Sequence, residues 1–219
     1  MEKTFSFIMI ILFLFVFCFV NLCFSQDFIK LPKPQTDIGK PLMKVLKERR
    51  SAREFSQEKL PIQILSNLLW AAYGINRPES SGRTAPSAMN CQDIDIYLAM
   101  ADGLFLYEPK EHALKLIIPR DVRELTGRQS FVKEAPINLI YVSNFARMTR
   151  VRQEEKEFFS GAHTGFIAQN VYLFCASEGL ATVVRAMIDR AALSNVINLR
   201  EDQKITLSQT VGYPKSKGR

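Results

Sequence analysis

The sequence IDIYLAMADGLFLY, residues 94–107, contains the strongest local indication of the fold class. Two apolar runs flank the pair Asp102-Gly103, and an Asp-Gly pair in that setting is a strong predictor of a tight β-hairpin. ALKLII, residues 113–118, predicts another strand, and INLIYV, residues 137–142, predicts a buried strand. The middle of the chain is therefore expected to form a sheet with antiparallel strands.

Helical patterns lie on both sides of these strands. A first short helix is predicted to start at Pro41 and to end near Glu48. A second begins after Pro61 and ends at Gly74, since proline favours the first turn of a helix and glycine favours its end. Residues 161–178 predict a long core helix closed by the next glycine. The second helix has one apolar face, made of Ile62, Leu65, Leu68, Leu69 and Ala72.

Three further elements complete the pattern. Residues 181–184 predict a short strand, Asp189 caps a helix, and residues 205–211 predict a last strand. Helices and strands interleave without regular βαβ alternation, which favours the α+β class. We expect one mixed domain over residues 41–219, with no internal repeat.

Composition excludes several classes of protein. The chain has 219 residues, 47% of them hydrophobic, with only 10 Gly, 10 Pro and 4 Cys. These values exclude collagen-like, disordered and disulfide-scaffold proteins. The net charge of +7 suggests a nucleic-acid partner, but the basic residues are interspersed with acidic ones rather than gathered on one segment. We therefore predict no nucleic-acid binding.

The amino terminus has the pattern of an export signal. Residues 7–20 are an unbroken apolar run after Lys3, and small residues at positions 23 and 25 suit a signal-peptidase site before Gln26. Residues 1–25 are thus predicted to be a signal peptide, which places the domain in the periplasm or another extracytoplasmic compartment. The alternative is an uncleaved anchor over residues 5–24, which would attach the protein to a membrane.

The segment that follows the signal, residues 26–40, is polar and contains two prolines, so it is predicted to be a linker. Cys91 and Cys175 remain in the mature chain, either paired or as two free, partly buried thiols. His112 and His163 lack metal-ligand spacing. We expect surface positions or polar contacts for them, no metal site, and no Ser-His-Asp or Cys-His arrangement.

The run RRSAREF, residues 49–55, concentrates basic and hydroxyl donors. If the chain is extended here, Arg49, Ser51 and Arg53 point to one side, because side chains alternate along a strand. Two guanidinium groups and a hydroxyl on one side suit a phosphate. The alternative is a solvated basic end of the preceding helix.

This run resembles the R-x-S-x-[RK]-x-F opening of the FMN-dependent nitroreductase family. Four later segments resemble that family's motifs in the same order: APSAMNCQ at 85–92, GFIAQN at 165–170, GLAT at 179–182 and VGYP at 211–214. Together they span nearly the whole mature chain. The resemblance implies a mixed α/β sandwich with a central, mainly antiparallel sheet flanked by helices.

The resemblance also implies a homodimer with FMN at the subunit interface. Arg49, Ser51 and Arg53 would hold the FMN phosphate, and a basic residue of the C-terminal tail, Lys215 or Arg219, would add to them. A frayed tail is the alternative for those last residues.

Other parts of the flavin would meet two further segments. The resemblance matches Arg185 and Ala186 to a turn whose backbone approaches flavin N5, although relatives often have Gly at the second position. The Arg185 side chain would meet an anionic substrate or form an exposed salt bridge. The partner subunit would line the flavin with Pro86, Ser87, Ala88 and Asn90.

The expected activity is hydride transfer through flavin N5 by a ping-pong mechanism, with nitroaromatic- or quinone-like acceptors. NAD(P)H would bind only transiently, since the sequence has no Rossmann-type glycine-rich loop. NAD(P)H is a cytoplasmic reductant, so an exported member is expected to use another donor, or to oxidise its substrate as the azoline-oxidising branch does. The remaining alternative is an extracytoplasmic flavin-binding protein without turnover.

Overall fold

The computed structural model describes residues 28–215. One seven-stranded sheet has the order β1-β6-β5-β4-β7-β9-β8, and every neighbouring pair is antiparallel. Its strands are β1 (Phe28–Lys30), β4 (Ile94–Met100), β5 (Gly103–Glu108), β6 (Ala113–Ile118), β7 (Ile137–Asn144), β8 (Ala181–Arg185) and β9 (Gln203–Gly212). A separate two-stranded ribbon joins β2 (Ile75–Arg77) to β3 (Gly82–Arg83). The predicted α+β class and antiparallel sheet are confirmed.

The hairpin that decides the fold class is present. Met100 pairs with Gly103, so the two-residue turn Ala101-Asp102 connects β4 to β5. On its other side β4 pairs with β7, all eight residues of which are buried. The predicted apolar strands therefore form the centre of the sheet.

Helices cover both faces of the sheet. They are α1 (Leu42–Glu48), α2 (Ile62–Tyr73), α3 (Phe131–Glu134), α4 (Lys156–Glu178) and α5 (Arg190–Val196). The core between α2, α4 and the sheet includes Leu68 and Ile167, whereas Leu193 of α5 packs on the opposite face with Ile140. Helix α4 starts five residues before the predicted position, because a 3₁₀ turn at Gln153–Glu155 leads directly into it.

The prediction of a linker over residues 26–40 is wrong for residues 28–40, the part that the structure describes. Strand β1 pairs with β6 through Ile29 and Leu114, and Leu31 is buried. Edge pairing uses main-chain groups, so a short polar stretch with prolines gives little sequence signal of it. We call residues 28–40 the N-terminal segment. Residues 1–27 and 216–219 lie outside the described residues, and so does the predicted export signal with its cleavage site.

A hydrogen-bonded chain fastens the N-terminal segment to the domain. The hydroxyl of Ser66 on α2 lies 2.6 Å from the carbonyl of Pro32, and His112 Nε2 lies 2.7 Å from that hydroxyl. The Tyr107 hydroxyl lies 3.0 Å from His112 Nδ1. Ser66 can donate to Pro32 and accept from His112 only if the imidazole proton is on Nε2.

Within residues 28–215, no helix has the length and apolar composition needed to cross a bilayer.

Candidate functional site

The run at residues 49–55 lies between the outer edge of the sheet and the end of the last strand. The Ala52 amide donates to the carbonyl of Thr182 on β8, at 2.9 Å. Beyond β9, the Lys215 amide approaches the carbonyl of Glu54 at 3.3 Å. The run is not helical, as its predicted alternation requires. The structure thus brings the C-terminal tail beside the basic segment, while Arg219 lies beyond the described residues.

Tyr172 of α4 orients two of the predicted phosphate ligands. The guanidinium carbon of Arg49 lies 5.3 Å from the centre of the Tyr172 ring, and the Ser51 hydroxyl lies 2.8 Å from its phenolic oxygen. That oxygen also accepts the amide of Val184 on β8, at 3.0 Å. Arg49 and Ser51 therefore face the same side. Our sequence reasoning missed Tyr172, because a helical tyrosine belongs to no short motif.

This corner of the protein is cationic. Within the described chain, Arg49, Arg53 and Lys215 have no carboxylate within salt-bridge distance. A cavity of about 500 Å³, lined by Arg49 and Tyr172 among others, lies beside them. Arg53 and Lys215 are exposed, so they are free to move towards an anion. These groups suit a phosphate, which accepts charge-assisted hydrogen bonds from guanidinium groups.

The outer edge of β8 extends from this cationic corner to the predicted N5 turn. Successive main-chain groups on that edge point away from β9: the Thr182 carbonyl accepts from the basic segment, and the Val184 amide donates to Tyr172. By the same alternation the Ala186 amide points outward. Ala186 is exposed, and its amide makes no hydrogen bond to any of residues 28–215. Four residues of strand separate Thr182 from Ala186, or about 13 Å.

The turn at Ala186 is held rigidly. Its carbonyl accepts the amide of Ile188 at 2.9 Å and the guanidinium of Arg190 at 3.1 Å. Arg190 also donates to the carbonyls of Ile205 and Thr206 on β9. The exposed amide of Ala186 is therefore a fixed donor beside the sheet.

The expectations for the Arg185 side chain are both wrong. It is only 5% exposed and forms no salt bridge within the described residues. The side chain lies on the face of the sheet that carries Ala181 and Val183, and it is buried there because the ring of Phe131 packs against the guanidinium. It cannot meet a substrate at the surface.

The predicted flavin-lining loop, residues 86–90, lies elsewhere on the subunit. Pro86 and Asn90 are exposed, and Met89 and Asn90 have the positive φ values +50° and +52°. The Ala88 amide donates to His163 Nε2 of α4, at 2.8 Å. His163 and Tyr172 are nine residues apart, or about 13 Å along the helix. One subunit therefore does not bring this loop to the basic segment.

His163 is held by a buried carboxylate. Its Nδ1 lies 2.6 Å from an oxygen of Asp93, and Ser143 donates to the other oxygen at 2.7 Å. Because Nε2 accepts the Ala88 amide, the imidazole proton is on Nδ1. Burial alone would raise the pKa of Asp93, but the hydrogen bonds from His163 and Ser143 outweigh it and lower that pKa. The expected polar contact of His163 is confirmed, in the core rather than at the surface.

This cluster corrects the expectation that no Cys-His arrangement exists. Cys91, Asp93 and His163 have donor atoms within 4.8 Å of one another, a proximity invisible in the sequence because 70 residues separate Asp93 from His163. The Cys91 thiol faces Asp93, at 3.4 Å, and both imidazole nitrogens are already engaged. Burial, with the charge of Asp93, raises the pKa of Cys91 to about 11. The cluster therefore holds the loop and lacks an activated nucleophile. Cys91 and Cys175 are free thiols, which confirms the second of the two alternatives predicted for them.

A larger cavity, of about 680 Å³, lies at the start of α2. Leu60, Leu65 and Ile137 are among its lining residues, and none of the predicted cofactor ligands among residues 28–215 is. Its size does not outweigh the chemistry of the β8 edge, because its lining is mostly apolar and includes the ion pairs Lys59–Asp102 and Arg123–Asp121.

A family model of the nitroreductase family matches residues 46–213, from the helix before the basic segment to the end of β9. The chain belongs to the nitroreductase family. It is 35% identical over 168 residues to MJ1384 of Methanocaldococcus jannaschii, which is assigned to the nitroreductases; the match covers 72% of this chain and 84% of that protein.

Solved nitroreductase structures have the same fold. A crystal structure of a protein assigned to the nitroreductases from Ralstonia eutropha JMP134 is 44% identical and superposes with a TM-score of 0.83, over 88% of this chain and 92% of that one. A similarly assigned protein from Desulfovibrio desulfuricans, solved in complex with FMN, is 19% identical with a TM-score of 0.59, over 82% and 90% of the two chains. The family assigns the chain to the oxidoreductases.

Proposed function

We propose that this nitroreductase-family protein is an FMN-dependent oxidoreductase. The observation that carries the proposal is the outer edge of β8. It joins a cationic, hydroxyl-bearing corner to the Ala186 amide, which has no hydrogen-bond partner among residues 28–215. A phosphate suits the first end and a hydrogen-bond acceptor such as flavin N5 suits the second. The FMN complex of the Desulfovibrio relative supports this choice of cofactor.

The residues of the chain would bind and orient the flavin. Arg49, Ser51 and Arg53 would hold the phosphate with Lys215 beside them, and the Ala186 amide would donate a hydrogen bond to flavin N5. Bound FMN would supply the group that accepts and donates hydride.

We infer that the enzyme is a homodimer that completes the flavin site with the partner's loop at residues 86–90. The face of α4 away from the core supports this inference. Phe158 and Phe166 are 74% and 46% exposed there, and a Cβ added at Gly161 or Gly165 would meet no atom within 4 Å. Such a face permits close approach of a second copy, and exposed apolar patches commonly mark interfaces.

A substitution on α4 tests the dimer. Gly165→Glu should favour the isolated helix, since glycine is a poor helix former, but it would place a charge in the interface. Sedimentation should show a dimer that becomes a monomer and loses its flavin. A variant that stays dimeric with FMN bound contradicts this interface.

We further propose ping-pong turnover with nitroaromatic- or quinone-like acceptors and a donor other than NAD(P)H. The exposed turn at Ala186 supports a single shared pocket, in which the donor product leaves before the acceptor binds. Steady-state kinetics should give parallel double-reciprocal lines. Rapid NADH or NADPH oxidation with a nitroaromatic acceptor would remove the reason for another donor.

Export through residues 1–25 is a separate proposal, supported by the apolar run at residues 7–20. Amino-terminal sequencing of the protein from the extracytoplasmic fraction should start at Gln26. An intact amino terminus in the membrane fraction would indicate an anchor, and protein found in the cytoplasm would refute export.

The test of the proposed activity starts from the colour of the purified protein. We expect a flavin spectrum that Arg49→Ala and Arg53→Ala each weaken, whereas Lys44→Ala, an equal charge loss on an exposed face of α1, leaves it unchanged. A colourless protein that does not bind added FMN would refute the proposed function.

A further inference from the structure

The Arg185 guanidinium is a buried cation surrounded by neutral groups. Its Nε lies 3.1 Å from the hydroxyl of Thr210, and its two terminal nitrogens donate to the carbonyl of Thr126 and to Asn138 Oδ1, both at 2.8 Å. The ring of Phe131 lies beneath it, with 5.8 Å between the guanidinium carbon and the ring centre. Every polar contact of the guanidinium is thus with an uncharged acceptor.

Within residues 28–215, no carboxylate neutralises this charge. Burial lowers the pKa of Arg185 to about 10, and no acidic side chain contributes to the shift. The group is therefore protonated at neutral pH and keeps a full positive charge inside the protein. Burying an unpaired charge costs free energy, so its position calls for a function.

The position of the charge is fixed. A Cβ at Gly127 would overlap the guanidinium, so the backbone lies directly against it. Arg185 is also the residue before Ala186, whose amide is the fixed donor at the end of the β8 edge. The charge therefore lies one side-chain length from the backbone that carries the Ala186 amide.

We propose that Arg185 raises the reduction potential of the bound FMN by stabilising its reduced, anionic form. The inference rests on the proposed function, because it assumes that the flavin ring lies at Ala186. Hydride transfer to the neutral ring adds two electrons and one proton, so the ring becomes an anion. A cation in a medium of low polarity favours that anion over the neutral ring, and little solvent screens the interaction.

The test is the midpoint potential of the holoprotein, measured against a reference dye during slow enzymatic reduction. Arg185→Gln should weaken the binding of reduced FMN relative to oxidised FMN about tenfold, which corresponds to a midpoint about 30 mV more negative for a two-electron couple. Arg185→Lys keeps the charge and should stay within about 10 mV of the wild type on the same scale. Lys204→Gln, an exposed charge loss on β9, should also leave the midpoint unchanged.

A second variant tests the charge if Arg185→Gln does not fold. Asn138→Asp places a carboxylate against the guanidinium, so the midpoint should fall although the arginine remains. An unchanged midpoint potential in Arg185→Gln overturns the proposal and leaves Arg185 with a structural role. If only Asn138→Asp folds, an unchanged midpoint potential in that variant has the same meaning. Failure of the wild type to bind FMN would instead refute the proposed function.

Discussion

Replacement of Asp93 by asparagine should detach the loop at residues 86–90 and destabilise the protein by about 3 kcal/mol. Asp93 is fully buried and accepts from His163 and Ser143. Hydrogen bonds to a charged group contribute about 1.5–3 kcal/mol each, against about 1 kcal/mol for neutral pairs, so the change costs about 2 kcal/mol over two bonds. The side-chain amide of the new asparagine would also turn an N–H₂ group towards His163 or Ser143, each of which now donates to a carboxylate oxygen. This mismatch adds about 1 kcal/mol to the loss of stability.

Urea unfolding at a fixed protein concentration measures this loss, and Asp189→Asn is the matched control. Asp189 caps α5 at the surface, where asparagine serves equally well, so its change should stay below about 0.5 kcal/mol. His163→Phe and the double variant complete a thermodynamic cycle. Because both residues act on Ala88 through one chain of bonds, their effects should be strongly non-additive. A loss below about 1 kcal/mol for Asp93→Asn, or additive effects, would refute the role assigned to the pair.

Three further outcomes follow from the structure. Gly127→Ala should cost about 1–3 kcal/mol, because its Cβ would displace Arg185. Gly161→Ala, in open space on helix α4, should instead stabilise the free subunit by up to about 1 kcal/mol; thermal melts at low concentration would compare the two variants. Burial lowers the pKa of His112, so its contribution to stability is complete above the unfolded value of about 6.5 and is lost as the pH falls below it; amide protection factors in the N-terminal segment, which correct for the pH dependence of intrinsic exchange, should fall between pH 7.5 and 5, and pH-independent protection factors would contradict this. The pKa of Cys91, raised to about 11, should make its alkylation at pH 8 at least about 100-fold slower than that of free cysteine. Equal rates in a thiol-labelling assay would show that the Cys91 thiol is not held against Asp93.

Local signals predicted most of the framework. The Asp-Gly pair at 102–103 defines its hairpin within a few residues, and Gly179 ends α4 with a φ of +72°, where its lack of a Cβ is needed. The basic run at residues 49–55 was also recognisable, because its spacing alone places Arg49 and Ser51 on one side.

Contacts between distant segments were not predictable in this way. Tyr172 meets Ser51 across 121 residues, and Asp93 meets His163 across 70. No periodicity encodes such pairs, since they depend on how helices pack on the sheet. Arg185 shows the same limit: its sequence neighbourhood resembles a surface turn, and only the finished fold shows that it is buried.

Arg49 and Arg53 are proposed to bind the phosphate of FMN, and the affinity for FMN relative to riboflavin, which lacks the phosphate, measures their contribution. Charge-assisted hydrogen bonds contribute about 1.5–3 kcal/mol each, so the wild type should bind FMN at least about 100-fold more tightly than riboflavin. The double variant Arg49→Ala/Arg53→Ala should lose most of this preference and keep only the smaller part that Ser51 and Lys215 supply, while its affinity for riboflavin stays that of the wild type. Equal affinities in the wild type, or an undiminished FMN preference in the double variant, would contradict phosphate binding by these two arginines.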